Sequence, residues 1–155
     1  MLARQQQSKA HEIPLTSEAR HKAFNSNQIM KRILIAEDDK NIAAALEIRL
    51  KAAGYEVDVV PDGFRAYLRT IQYQPDLILM DICMPIGSGL EVAHEVERLV
   101  RIPIIFMTAS KEENLREKAK KLGAVGFFEK PFDMEKLLAA IARSLEREFE
   151  EKALP

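Results

Sequence analysis

From Arg32 onward, short apolar runs alternate with amphipathic stretches, and the alternation repeats five times. It predicts strands over 32–36, 56–60, 76–81, 103–107 and 125–128, and helices over 40–53, 63–73, 89–100, 111–122 and 134–149. The clearest run is Leu77-Ile78-Leu79-Met80, which leads straight into Asp81 and is closed by Pro85. A strand that is apolar on both faces belongs in the middle of a covered parallel sheet. In the first helix Ile42, Leu46, Leu50 and Ala53 share one face, and Gly54 suits its C-terminus. Ser88-x-x-Glu91 and Ser110-x-x-Glu113 read as capping boxes at two later helix starts, and Asp133 can cap the last helix after Pro131. There Met134, Leu138, Ile141 and Leu145 keep a 4-3-4 spacing. Two heptads fall short of the three or four that a coiled coil needs. The charged run 146–152 reads as a solvated helix end.

Five strands, each followed by a helix after a short connection, imply an α/β fold with helices on both faces of a parallel sheet. Right-handed crossovers favour a flavodoxin-like (βα)5 three-layer sandwich in the strand order 2-1-3-4-5. The first and third strands are then neighbours, and a site should open at their C-terminal ends. Residues 1–29 are polar and without a sustained period, so they are expected to form a disordered or loosely docked extension. Composition changes at Met30-Lys31-Arg32-Ile33, which makes 30–149 the domain and 150–155 a tail. Met30 is also an alternative translation start on this reading. The residues after the last helix are too few for a DNA-binding module.

At 155 residues, one domain can bury about 70% of the surface of its unfolded chain. A net charge of −1 removes any global attraction to nucleic acid or membrane. The single cysteine, Cys83, excludes an intramolecular disulfide and fits a reducing compartment. No window is long and apolar enough to span a membrane, and the first residues lack the apolar core of a secretory signal. A cytoplasmic location is expected.

The candidate chemistry stands at the strand ends. The first strand is followed by Glu37-Asp38-Asp39, the third ends in Asp81, the fourth is followed by Thr108, and Lys130-Pro131 follows the fifth. One polar residue in such a place is usually a cap or a turn former; four of complementary chemistry on one edge make a pocket. Carboxylates crowded together repel by about 4 kcal/mol per close pair at an effective dielectric near 20. The pocket becomes stable when a divalent cation fills it or one acid stays protonated. Oxygen ligands without a nearby histidine or cysteine pair favour Mg²⁺. Thr108 and Lys130 then suit phosphoryl oxygens, and Asp81 can act as a nucleophile that becomes an aspartyl phosphate. Asp39 is either a third pocket acid or the cap of the first helix. His94 reads as a helix-surface residue, and His11 and His21 lie too far off in sequence to form a metal cluster with it.

Four segments carry a resemblance: Ile33-Leu34-Ile35-Ala36-Glu37-Asp38-Asp39, Leu79-Met80-Asp81-Ile82-Cys83-Met84-Pro85, Met107-Thr108-Ala109 and Phe128-Glu129-Lys130-Pro131-Phe132. In order and spacing the chain resembles the receiver domain of two-component response regulators, from residue 31 to about 146. The resemblance implies that Asp81 accepts a phosphoryl group from a histidine kinase or a histidine phosphotransfer protein. Glu37 and Asp38 become the acidic pair, with Asp38, Asp81 and the backbone carbonyl of Cys83 as Mg²⁺ ligands. Thr108 and Lys130 contact the phosphoryl group, and Ala109 leaves space beside it. Phe127 takes the aromatic switch position, and the bond before Pro131 is expected to be cis. Cys83 and Ser110 stand where side chains influence how fast the phosphoryl group is lost.

On this reading the chain is a signalling module, with no enzymatic activity beyond its own phosphorylation and dephosphorylation. It contacts a downstream protein through the fourth helix, fifth strand and fifth helix, without binding DNA directly. Three alternatives stand beside it. The chain could be a receiver fragment of a larger regulator or hybrid kinase. A magnesium-dependent phosphatase would want a second acid two residues after Asp81, where Cys83 stands. Flavin or nucleotide binding would need a Gly-, Ser- or Thr-rich loop after the first strand, where this chain has acids.

Overall fold

The structure is a computed structural model and describes residues 29–153. The expected extension over 1–29 therefore lies outside the described residues except for Ile29, as do His11 and His21; of the expected tail over 150–155, residues 150–153 continue the last helix and only 154–155 lie outside. Of the stretch before the first strand, Ile29, Met30 and Lys31 are described, and Ile29 and Met30 are exposed.

Among the described residues five strands and five helices alternate: β1 Arg32–Ala36, α1 Lys40–Ala52, β2 Glu56–Val60, α2 Gly63–Tyr73, β3 Leu77–Asp81, α3 Gly89–Leu99, β4 Ile104–Thr108, α4 Leu115–Lys121, β5 Gly126–Glu129 and α5 Met134–Ala153. The strands form one parallel sheet in the order β2-β1-β3-β4-β5, as the crossover rule predicts. Ile35 pairs with Leu79, and Leu79 with Ile105, so β3 runs between β1 and β4 with every residue buried.

Side chains alternate across a strand, which splits the core in two. Ile33, Ile35, Leu77, Leu79, Ile105 and Met107 pack against Leu46 and Leu50 of α1 and Leu137, Ile141 and Leu145 of α5. Leu34, Ala36, Ile78, Met80, Ile104 and Phe106 pack on the other face, against α2, α3 and α4. The apolar seam read in α5 is thus a core-facing stripe.

Several boundaries depart from the sequence reading, most by a single residue, and three of them have a visible cause. Helix α4 begins at Leu115 instead of 111, and the Ser110-x-x-Glu113 box does not form. Ser110 Oγ accepts from Glu112 N (3.1 Å), a local turn bond that competes with the cap, and Asn114 precedes the helix in the left-handed region (φ +69°). Helix α5 runs on to Ala153, because Glu, Arg and Lys in the charged run are good helix formers. Asp76 lies outside β3, and its carboxylate accepts from Arg32 N (2.7 Å), tying the starts of β1 and β3 together. The Ser88–Glu91 capping box and the Asp133 cap are both formed.

Candidate functional site

The parallel register brings the ends of β1, β3 and β4 to one edge, and the chain leaving β5 adds Lys130 there. Asp81 is the last residue of β3 and only 3% exposed; Glu37, directly after β1, is 2% exposed. Burying two carboxylates side by side requires partners for their charge. The Lys130 ammonium supplies one, donating to Glu37 Oε2 (2.6 Å) and to Asp81 Oδ2 (2.7 Å). The remaining oxygens accept from backbone: Glu37 Oε1 from Asp39 N (3.0 Å) and Asp81 Oδ1 from Cys83 N (2.9 Å). Lys130 is itself placed by its own N–H, which donates to the Thr108 carbonyl (2.8 Å); the bond that follows, to Pro131, is cis, as expected. Edge-to-face packing of Phe128 on Phe132, at 6.3 Å between centroids, brackets that corner.

The three acids after β1 divide by direction. Asp39 turns to α1, its Oδ1 accepting from Asn41 N (2.8 Å) and Ile42 N (3.0 Å), so it is the helix cap. Asp38 is exposed and lies with Glu37 and Asp81 in a cluster whose ligand oxygens all fall within 4.8 Å of one another. Three ionised carboxylates and one ammonium leave a formal charge of −2. A hard divalent cation matches that charge and the all-oxygen donor set. Burial pushes Glu37 above the ordinary carboxylate range in spite of the Lys130 bond. Burial also works against the Lys130 charge, but hydrogen bonds to Asp81 and Glu37 outweigh it and hold the amine above its usual value.

Thr108 is 1% exposed; its Oγ1 accepts from Ser110 N (3.0 Å) and lies 3.8 Å from the exposed Cys83's Sγ. The segment after Asp81 is bolted to α2 and α3: Gly63 N donates to Pro85 O (3.2 Å), Phe64 N to Ile86 O (2.8 Å) and Gly89 N to Ile82 O (3.0 Å). Glycine is required at both helix starts, since a Cβ on Gly63 would lie 2.0 Å from Gly87 O and one on Gly89 2.3 Å from Asp81 O. Asp62 caps α2 from below this junction, and its hydrogen bond from Arg65 N holds its carboxyl below the usual range.

Glu37, Asp38, Asp81, Thr108 and Lys130 are therefore brought together, while Phe127 stands apart on β5, half-buried beneath Arg116. Sequence reasoning missed Lys111, Arg116 and Glu129, whose charges gather around that ring. It also missed Gly63 and Gly89, whose need arises only when distant backbones meet. His94 is exposed on α3, away from any cluster of potential metal ligands among the described residues. A cavity of about 600 Å³ opens beside Pro103 and Ile104, at the start of β4 and so at the opposite end of that strand from Thr108.

Among the described residues no helix is long and apolar enough to cross a membrane. The family model described as the response regulator receiver domain matches residues 33–142. Solved structures agree with it. The chain is 26% identical to the signal receiver domain of a putative Luxo repressor protein from Vibrio parahaemolyticus, over 80% of this chain and 96% of that one, with a TM-score of 0.76. A CheY-like receiver domain from Methanospirillum hungatei gives 26% identity over 79% of this chain and 99% of that one, also at 0.76. The chemotaxis response regulator CheY4 of Vibrio cholerae gives 29% identity over 75% and 99%, at 0.69. A match across this length, on a fold with the same strand order and an acidic cluster at the expected edge, identifies the family: the chain belongs to the response regulator receiver domains of two-component systems.

Proposed function

We propose that this receiver domain takes a phosphoryl group on Asp81 from a phosphohistidine of a kinase or phosphotransfer protein. The observation that carries the reading is the single ammonium of Lys130 bonded to both Asp81 and Glu37, on the same edge as the buried hydroxyl of Thr108. Asp38, Asp81 and the Cys83 carbonyl would hold Mg²⁺, with Glu37 beside them. Bound there, the ion would neutralise charge on the carboxylates and on the phosphoryl oxygens.

In the transfer, a carboxylate oxygen of Asp81 forms a bond to phosphorus as the P–N bond breaks, and the electron pair leaves with the imidazole. Esterification removes the Asp81 charge, and Lys130 pairs with a phosphoryl oxygen instead. Thr108 gives up the Ser110 N–H and donates its hydroxyl hydrogen to a second phosphoryl oxygen. That movement lets Phe127 turn inward, and the face made by α4, β5 and α5 changes shape for a downstream protein. The change is a population shift between two packings of one fold. Contact with that protein, in the cytoplasm and without direct DNA binding, completes the proposed role. The magnesium-dependent phosphatase is disfavoured by Cys83, which provides no second carboxylate beside Asp81.

Fluoroberyllate, which mimics a phosphoryl group on a carboxylate, tests the site without a kinase. With Mg²⁺ it is expected to bind the wild-type chain and to shift the amide resonances of Cys83, Ser110 and Phe127. Asp81→Asn is expected to abolish both effects. Equal binding by Asp81→Asn, or shifts confined to other parts of the chain, would overturn the assignment.

A further inference from the structure

Around Phe127 stand charges that the phosphoryl chemistry does not use. The Arg116 guanidinium, on α4, lies 4.6 Å from the centroid of the Phe127 ring. Glu129 is two residues further along the strand, where side chains return to the same face. Its carboxylate is 3.7 Å from Arg116 Nη2 and 3.3 Å from Lys111 Nζ. Arg116 therefore touches both the ring and the acid, and Lys111 ties the same acid to the loop that leaves Thr108. A cavity of about 200 Å³ lies against this cluster, lined by Ser110, Leu115, Arg116 and Phe127 among others.

We propose that Arg116 is a positioning residue for the switch: anchored by Glu129, it clamps the Phe127 ring at the α4–β5 surface and sets how readily the chain adopts its phosphorylated packing. For the ring to turn inward it must give up the guanidinium stacked on it. The cation–π contact and the two ion pairs are individually modest at an exposed position, where water and salt screen them. The equilibrium they act on is itself balanced to a few kcal/mol, so even a modest clamp changes the minor population severalfold. Lys111 is three residues after Thr108, so displacement of Thr108 toward a phosphoryl group pulls on the Glu129 end of the clamp. Movement of the hydroxyl and release of the ring are thereby coupled through named side chains. The effect on phosphorylation rests on the phosphoacceptor reading, whereas the effect on the ring in the unphosphorylated chain does not.

Arg116→Ala and Arg116→Lys test the clamp in two measurements. Aromatic NMR of the unphosphorylated protein, with Asp81→Asn as background, is expected to show the Phe127 ring resonances shifted or exchange-broadened by Arg116→Ala. Arg116→Lys, which keeps the charge opposite Glu129 but loses the planar stack, should fall between. In the chain with Asp81 intact, Arg116→Ala should speed phosphorylation by acetyl phosphate about fivefold, with the thermal midpoint lowered by no more than the few degrees that losing a clamp of that size accounts for. Unchanged Phe127 resonances in Arg116→Ala would overturn the clamp, as would an unchanged rate. If the wild-type chain takes up no phosphoryl group at all, the phosphoacceptor reading fails, and the ring resonances still decide the clamp.

Discussion

Replacing Lys130 by methionine is expected to remove about 3–5 kcal/mol of stability at neutral pH, the usual result of deleting one partner from a buried charged group. Lys130 is 11% exposed at its side chain and is the cation bonded to both Glu37 and Asp81, whose side chains are 0% and 5% exposed. Methionine fills similar space without the charge, so the loss isolates electrostatics from packing. The pH dependence follows from the directions of the shifts. In the wild type the Lys130 amine is held above its ordinary value near 10.4, so its contribution is complete below that pH and disappears as pH rises through the higher folded value. In the variant, Glu37 loses the bond that opposes its burial and moves further up. A group raised in this way favours the fold below its unfolded value and ceases to do so as pH rises through the folded one. Urea melts should therefore show the gap between variant and wild type narrowing from pH 7 to pH 5. A loss below about 1 kcal/mol at pH 7, the range of an exposed ion pair, would contradict the buried-cluster account.

Gly89→Ala is expected to cost about 3 kcal/mol and to slow phosphorylation from acetyl phosphate by more than about tenfold. The added Cβ would lie 2.3 Å from Asp81 O and 2.8 Å from Met80 Cγ. Met80 can repack its flexible end, but the carbonyl belongs to a central strand hydrogen-bonded on both sides. Relief must come from moving α3 or the end of β3, and the second displaces the carboxylate itself. A variant with wild-type stability and rate would show that this approach has slack the geometry does not suggest.

The parts of this fold that were legible in the chain are those decided by burial on a local repeat. Leu77–Met80 reads as a central strand because both of its faces are covered, and the strand order follows from short right-handed connections. Asp81, Thr108 and Lys130 were legible as one group because a parallel sheet puts all its strand ends on one edge. What was not legible depends on direction or on distant contact. Asp38 and Asp39 are adjacent and alike, yet one faces the pocket and the other caps α1. Ser110-x-x-Glu113 satisfies the spacing of a capping box, but the Ser110 side chain is taken by Glu112 N, and the helix starts later. Arg116 and Glu129 are thirteen positions apart, a spacing that carries no local signal, and only the packing of α4 on β5 brings them to one ring.

The central claim, that Asp81 is the phosphoacceptor, is tested most directly by intact mass after incubation with acetyl phosphate and Mg²⁺. The wild-type chain should gain the mass of one phosphoryl group, and the gain should be labile as an acyl phosphate is. It should vanish in Asp81→Asn and when EDTA is added beforehand. No mass gain in the wild type, or an undiminished gain in Asp81→Asn, would contradict the account.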